Sequence, residues 1–276
     1  MPKEKTHFRL LVTVKAYPSV STKYNELVCC AGITDAKKLS SPGSYGAPRW
    51  VRLYPVPYRD LPGHKHFEKY DVVEVDAFKR EAYKDDRPES WQPDLDTMHI
   101  VGHVEVKHGN WDARMEWIKP TLFQGFAHLQ DLQVKQNVSL GAFRPAKILD
   151  VDVSPDDENW SPVQMNVINQ GDLFSKKEPL EKVPYRFRLG FLDERYKEHW
   201  LSVIDWEFYQ LWRKERDRLG NKEKAAEQVK KKLQIISASD KDLILFVGNL
   251  AAPAKRKSFM ILGCCYPKNS AQGTLF

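Results

Sequence analysis

The chain has 276 residues, 42% hydrophobic and 29% charged, with 43 Lys and Arg against 37 Asp and Glu for a formal charge of +6. This excludes a disordered chain and a disulfide-stapled miniprotein, and it suits one large domain or two of about 100–150 residues. There is no run of 18 apolar residues, and the charged start leads into no apolar signal core, so the expectation is a cytoplasmic protein with no membrane segment.

Short β-branched runs come first. Residues 8–15 and 24–31 read as strands, the second ended by Gly32. A loop rich in Ser, Pro and Gly follows from about 35 to 48. Strands at 49–55 and 70–78 flank a stretch with Pro55, Pro57 and Pro62, and 100–106 is a further strand. No helical pattern connects these runs, which points to antiparallel pairing. Between 111 and 136 the period changes. Trp111, Met115 and Ile118 have helical spacing, Pro120 breaks it, and Phe123, Phe126 and Leu129 resume it. Strand-like runs return at 146–153, 185–192, 199–204, 243–248 and 258–265. The longest helical stretch, 204–235, is set among them. There Ile204, Phe208, Leu211 and Trp212 form one stripe, Gly220 and Asn221 break it, and Ala225, Ala226, Val229 and Leu233 continue it.

The pattern predicts a mainly β fold, a β-rich α+β protein. Two small antiparallel barrels of the oligonucleotide/oligosaccharide-binding (OB) type are joined by a helical connector. The divisions fall at 1–110, 111–138, 139–267 with the helical insertion 204–235, and a flexible tail 268–276. SH3-like barrels or a sandwich fit the strand count nearly as well.

Basic residues alternate with aromatics in Arg49-Trp50-Val51-Arg52-Leu53-Tyr54 and in Tyr185-Arg186-Phe187-Arg188. Cations that follow a phosphate backbone beside rings that stack on bases are the apparatus of single-strand binding. The candidate contacts are Arg49, Trp50, Arg52, Tyr54, Arg59, Arg186, Arg188, Lys230 and Lys231. Alternation sends Trp50, Arg52 and Tyr54 outward and Val51 and Leu53 inward. The competing reading makes the rings core and the arginines a solvated face. For Lys230, Lys231 and Lys232 it is the solvated side of an amphipathic helix.

Several runs taken together resemble a known family. They are Lys23 to Ile33, Arg49 to Leu61, Lys69 to Val75, Arg87 to Pro93, Ser139 to Pro145, Val183 to Arg188 and Asp242 to Asn249. Across roughly 8 to 268 the chain resembles an uncharacterised bacterial family described as having a dual OB-containing domain. The resemblance implies two OB-like barrels, nucleic-acid binding, and a place in bacterial genome maintenance or antiviral defence beside operon-encoded partner proteins. It brings no catalytic residues.

A different chemistry competes with binding. Pro93-Asp94 followed by Glu105-Val106-Lys107 matches the PD-(D/E)xK pattern of metal-dependent nucleases. In such sites two carboxylates hold Mg²⁺ and a lysine assists the attacking water. On a strand, Glu105 and Lys107 share a face. Under this alternative Asp94, Glu105 and Lys107 are catalytic and Mg²⁺ is the cofactor; under the leading reading there is neither. The vicinal pairs Cys29-Cys30 and Cys264-Cys265 lack the spacer that brings two thiolates to one zinc, and they read as reduced, buried thiols. His64 and His66 beside a distant cysteine pair are the residual metal candidate. GxSxG, a P-loop and HExxH are absent. Finally, Gln272-Gly-Thr-Leu-Phe276 resembles the bacterial sliding-clamp-binding pentapeptide. Gln272, Leu275 and Phe276 would anchor it on the clamp. The alternative packs Leu275 and Phe276 onto the last barrel.

Overall fold

The computed structural model describes residues 5–17, 19–20, 26–34, 49–83, 85–166 and 181–269. Its first half contains β1 (Lys5–Lys15), β2 (Ser19–Val20), β3 (Glu26–Thr34), β4 (Trp50–Val56), β5 (Asp71–Lys79), β6 (Ser90–Pro93) and β7 (His99–His103). The order β1-β3-β4-β6-β5 closes when β5 pairs back onto β1, giving a five-strand barrel. Only the β4–β6 pair is parallel among these five strands. The 11-residue β1 makes closure possible. Lys5–Leu11 pairs with β5 and Leu10–Lys15 with β3, and a register shift between Val12 and Val14 turns the strand from one neighbour to the other. Alternation then fills the barrel with Phe8, Leu10, Val12, Cys30, Val51, Leu53, Val73, Val75 and Trp91. β2 and β7 extend the sheet beside β3 and β5.

The connector forms as its spacing predicts. α1 (Asp112–Ile118) ends in a 3-10 turn that contains Pro120, and α2 (Phe126–Gln136) is closed by Asn137 in the left-handed region.

The second half holds β8 (Leu140–Phe143), β9 (Lys147–Pro155), β10 (Tyr185–Leu192), β11 (Glu198–Ser202), α3 (Trp206–Leu219), α4 (Lys222–Ile236), β12 (Ile244–Asn249) and β13 (Phe259–Cys265). Asp205 caps α3 by accepting from the Glu207 N–H, Gly220 (φ 62°) closes it, and Asn221 caps α4. Strand count predicts a second closed barrel here; among the described residues there are instead two three-stranded sheets, β11-β10-β9 and β13-β12-β8. One parallel bridge, Val203 to Ile261, joins them. The helical hairpin accounts for the difference. Its apolar stripe packs on β9 and β10, and Phe208, Trp212, Ala225, Val229 and Leu233 share one core with Phe143, Phe187, Phe191 and Ile261.

A third core runs between the halves. Leu11, Val14, Ala31, Ile33 and Trp50 of the barrel pack against Leu140, Ala142, Ile244, Phe246 and Leu262. Both faces of the later part of β1, from Leu10 to Lys15, are therefore buried. A buried ion pair reinforces this seam: Lys69 Nζ lies 2.8 Å from Asp205, at the cap of α3, and 3.5 Å from Glu207. Burial alone would lower the Lys69 pKa, but the two carboxylates raise it well above its usual value. Lys268 and Asn269, assigned to the tail by the sequence reading, are held by the body of the protein: Lys268 bridges Lys241. The Asn269 N–H donates to the Asp240 carbonyl and its side-chain amide to the Ser239 carbonyl. Gln272, Leu275 and Phe276 lie outside the described residues. No helix among the described residues is long and apolar enough to cross a membrane.

Candidate nucleic-acid interface

Trp50 and Arg52 point away from the barrel interior, as alternation predicts, but they do not reach solvent. They are 6% and 1% exposed, because the second half covers this face. The Trp50 ring centroid is 5.6 Å from that of Phe246. Arg52 donates to the Ser139 hydroxyl at 2.7 Å, the Ser139 carbonyl at 3.1 Å and the Ser90 hydroxyl at 3.2 Å. Ser139 passes the charge on, donating its hydroxyl (2.6 Å) and its N–H (3.0 Å) to the Glu89 carboxylate. Beside it Arg87 grips Asp85 through two hydrogen bonds and donates to the Asn249 carbonyl at 2.7 Å. Burial works to raise the Asp85 pKa, but the Arg87 hydrogen bonds and charge hold it down at about 2. The expectation that Trp50 and Arg52 contact nucleic acid is thus corrected. They cement the two halves together.

The other predicted contacts are scattered. Arg186 and Arg188 stand on the outer face of β10. Arg186 is 61% exposed with Asp156 4.0 Å away, and Arg188 is in register with Asp152. Arg59 is partly exposed on the single turn Tyr58–Asp60. Lys230 and Lys231 lie on α4, off the buried stripe of Ala226, Val229 and Leu233.

The nuclease triplet does not assemble. β7 ends at His103, so Glu105 and Lys107 are not on that strand. Lys107 bridges Asn110 across a two-residue turn, His108 (φ 51°) and Gly109 (φ 80°), the left-handed pair of a tight hairpin. The Asp94 N–H donates to the Asp76 carbonyl, while the Val104 N–H donates to the Tyr70 carbonyl. Tyr70 immediately precedes β5 and Asp76 lies well along it, about 20 Å away at 3.3–3.4 Å per residue. Asp94 and Glu105 therefore do not converge on one ion. No group of three or more His, Cys, Asp or Glu among the described residues is placed to hold a metal. All four cysteines are free. Cys30 faces the barrel core and Cys265 the seam, and burial pushes the Cys264 and Cys265 thiols up to about 12.

The barrel does assemble one mixed row. Leu53 pairs with Trp91 on β6, and carrying that register one residue on sets Tyr54 beside Gln92. Gln92 pairs with Phe78 on β5, and Phe78 with Lys5 on β1. Tyr54 and Phe78 are partly exposed and Gln92 is exposed. Each ring carries a cation: the Arg80 guanidinium is 5.3 Å from the Tyr54 centroid, and Lys5 Nζ is 5.6 Å from that of Phe78. Arg80 is fixed there by donating to the Tyr54 carbonyl at 2.9 Å. At the end of the barrel Lys79 and Arg49 lie over Trp91, 5.0 and 5.9 Å from its centroid. Arg49 and Arg80 have no carboxylate within ion-pair distance among the described residues, whereas Lys5 pairs with Asp76 at 2.9 Å. Of the residues in and beside this row, Arg49 and Tyr54 were among the candidates read from the sequence. Phe78, Lys79, Arg80 and Gln92 were not, although Phe78-Lys79-Arg80 repeats the same interleaving of ring and cation.

Residues 6–120 match a family model described as Domain of unknown function (DUF8758). Residues 124–276, more than half of the chain, match Domain of unknown function (DUF8757). The chain belongs to the DUF8757 family. The DUF8758 match contains the barrel from Thr6 onward and α1, and the DUF8757 match contains α2, both small sheets and the helical hairpin. The junction between the two matches falls inside the predicted connector, as expected of an uncharacterised two-domain family. No curated protein matches the chain.

Proposed function

We propose that the DUF8758 barrel is an OB-type module that binds single-stranded nucleic acid across Tyr54, Gln92 and Phe78. The observation that carries this reading is the row itself: two partly exposed rings, each under a cation, on either side of an exposed amide. Two strand spacings separate the rings, about 10 Å, which leaves room for a base on each. Arg49, Lys79 and Arg80 supply phosphate contacts, and Gln92 offers both a donor and an acceptor to a base edge. The barrel order supports the OB assignment. Numbered along the chain, its strands run first, second, third, fifth, fourth and back to first, a closed five-strand arrangement with one long shared strand. The second half masks one outer face of the barrel, so binding uses the flank that stays open. Anisotropy titrations with labelled single-stranded and duplex oligonucleotides test the proposal. Single strands should bind better, and with about three cations engaged the log–log salt slope should be about −2. Binding that is insensitive to salt, or equally tight when Tyr54 and Phe78 are both replaced by Ala, would refute it.

A further inference from the structure

The outer face of the β9–β10–β11 sheet is a grid fixed by register. Asp150, Gly190 and Trp200 form one row, and Asp152, Arg188 and Ser202 the next. Gly190 has a steric reason to be there. A Cβ at this position would stand 2.7–2.8 Å from three atoms of the Trp200 ring, Cζ2, Cε2 and Cη2. Three near-equal distances mean that the indole lies flat on the glycine backbone. Its N–H donates to Glu198 at 2.6 Å, and the Arg188 guanidinium lies 5.7 Å from a ring centroid of Trp200. Gly190 thus lies against one face of the ring, Glu198 holds its N–H edge, Arg188 lies over the ring, and the face opposite Gly190 points away from the sheet. The surrounding groups are charged but largely uncommitted. Asp150 accepts only the Val151 N–H, and Asp152 has no hydrogen-bond or ion-pair partner among the described residues. Arg188 makes no ion pair there either; its contacts are the Trp200 ring and, at 3.5 Å, the Trp200 carbonyl.

We infer that this face binds a saccharide, with a pyranose ring stacked on Trp200 and its hydroxyls held by Asp150, Asp152 and Arg188. An indole face is the negative side of a quadrupole and attracts the weakly positive C–H groups on one face of a sugar ring. Carboxylates only accept and guanidinium only donates, and neighbouring hydroxyls of a neutral polyol satisfy both. Other ligand classes fit less well. A nucleic-acid strand would meet Asp150, Asp152, Glu198 and, beside Arg186, Asp156. A cationic peptide would meet Arg188 in the position beside the ring that its own cation needs. Because the site lies on the second half, the inference is independent of the barrel reading.

The full chain, titrated calorimetrically with cellotetraose, maltotetraose and chitotetraose, provides the test. An open, single-ring platform should bind at least one of the three with a Kd of about 1 mM. Trp200→Ala should weaken that binding about tenfold or more, which is about 1.4 kcal/mol, whereas Trp200→Phe keeps a stacking surface and should lose less. Asp152→Asn replaces an acceptor-only group and should also weaken binding while leaving the melting temperature unchanged. Saturable heat that disappears in Trp200→Ala but survives an excess of single-stranded oligonucleotide supports the site. No saturable heat with any of the three sugars overturns the inference. So does unchanged affinity in Trp200→Ala, or displacement of the sugar by the oligonucleotide.

Discussion

Tyr54 and Trp50 are four positions apart on one strand and face the same way, yet substitution should affect them in opposite assays. Tyr54→Ala and Phe78→Ala should each weaken oligonucleotide binding by about 1–3 kcal/mol if a base stacks on the ring, with little change in urea midpoint. Trp50→Ala should leave binding nearly intact and cost about 3–5 kcal/mol of stability, because it opens a cavity against Phe246. Anisotropy and urea unfolding on the three variants separate the two roles. Asp85 makes a prediction with a sign. Its folded pKa of about 2 lies below the ordinary 3.8, so its contribution is complete above about pH 4 and disappears as pH falls toward 2. Asp85→Asn should therefore cost about 2 kcal/mol at pH 7 and nothing below pH 2, read from denaturation across that range. At this scale the sequence revealed direction but not cover. Alternation correctly turned Trp50 and Arg52 away from Val51 and Leu53, but period-two logic carries no information about what packs on the outer face.

Among the elements, α3 and α4 were the most legible. Their stripe, Asp205 and Asn221 caps and Gly220 break are all local signals, and they set the helix limits within a residue or two. The second barrel was the least legible. Closure depends on which strands hydrogen-bond at long range, and five strands in about 100 residues do not specify that. Glu105-Val106-Lys107 read as a strand because its alternation is right, but β7 ends at His103 and the segment leads into the tight turn at His108 and Gly109. The cap of α3 also carries a tertiary load through Lys69. Lys69→Met should destabilise by about 3–5 kcal/mol, because it leaves Asp205 buried without its partner. Lys69→Met with Asp205→Asn should recover much of that loss, since Asn still caps the helix and no charge is stranded. If urea midpoints show the double variant no better than the single one, the pair is not the origin of the loss.

At the scale of the molecule, the two family matches divide the sequence but not the packing. The two helices between 112 and 136 were legible from a change of period, and the junction between the matches falls between them. The seam was not legible, because its residues are split between distant strands and its buried arginines look like solvated ones. A shared core of Leu11, Ile33, Trp50, Phe246 and Leu262, bound by Arg52–Ser139–Glu89 and Lys69–Asp205, couples the halves. The chain should therefore melt in a single calorimetric transition with equal van't Hoff and calorimetric enthalpies. Two resolved transitions would contradict this coupling. A fragment ending at residue 120 should be poorly soluble, because Trp50, Ile33 and Leu11 would lose their cover.

The double burial of β1 also matters while the chain is being made. The barrel strands leave the ribosome first, but Phe246 and Leu262, which cover their outer flank, are translated roughly 200 residues later. At about 5–20 residues per second the flank waits about 10–40 s for its partner. During that interval the nascent protein can complete the hydrogen-bonded barrel while a greasy strip along β1, β3 and β4 lies open. A ribosome that stalls before β12 would release a folded but adhesive product, so the yield of intact protein should depend on holding chaperones more than the stability of the finished fold would suggest.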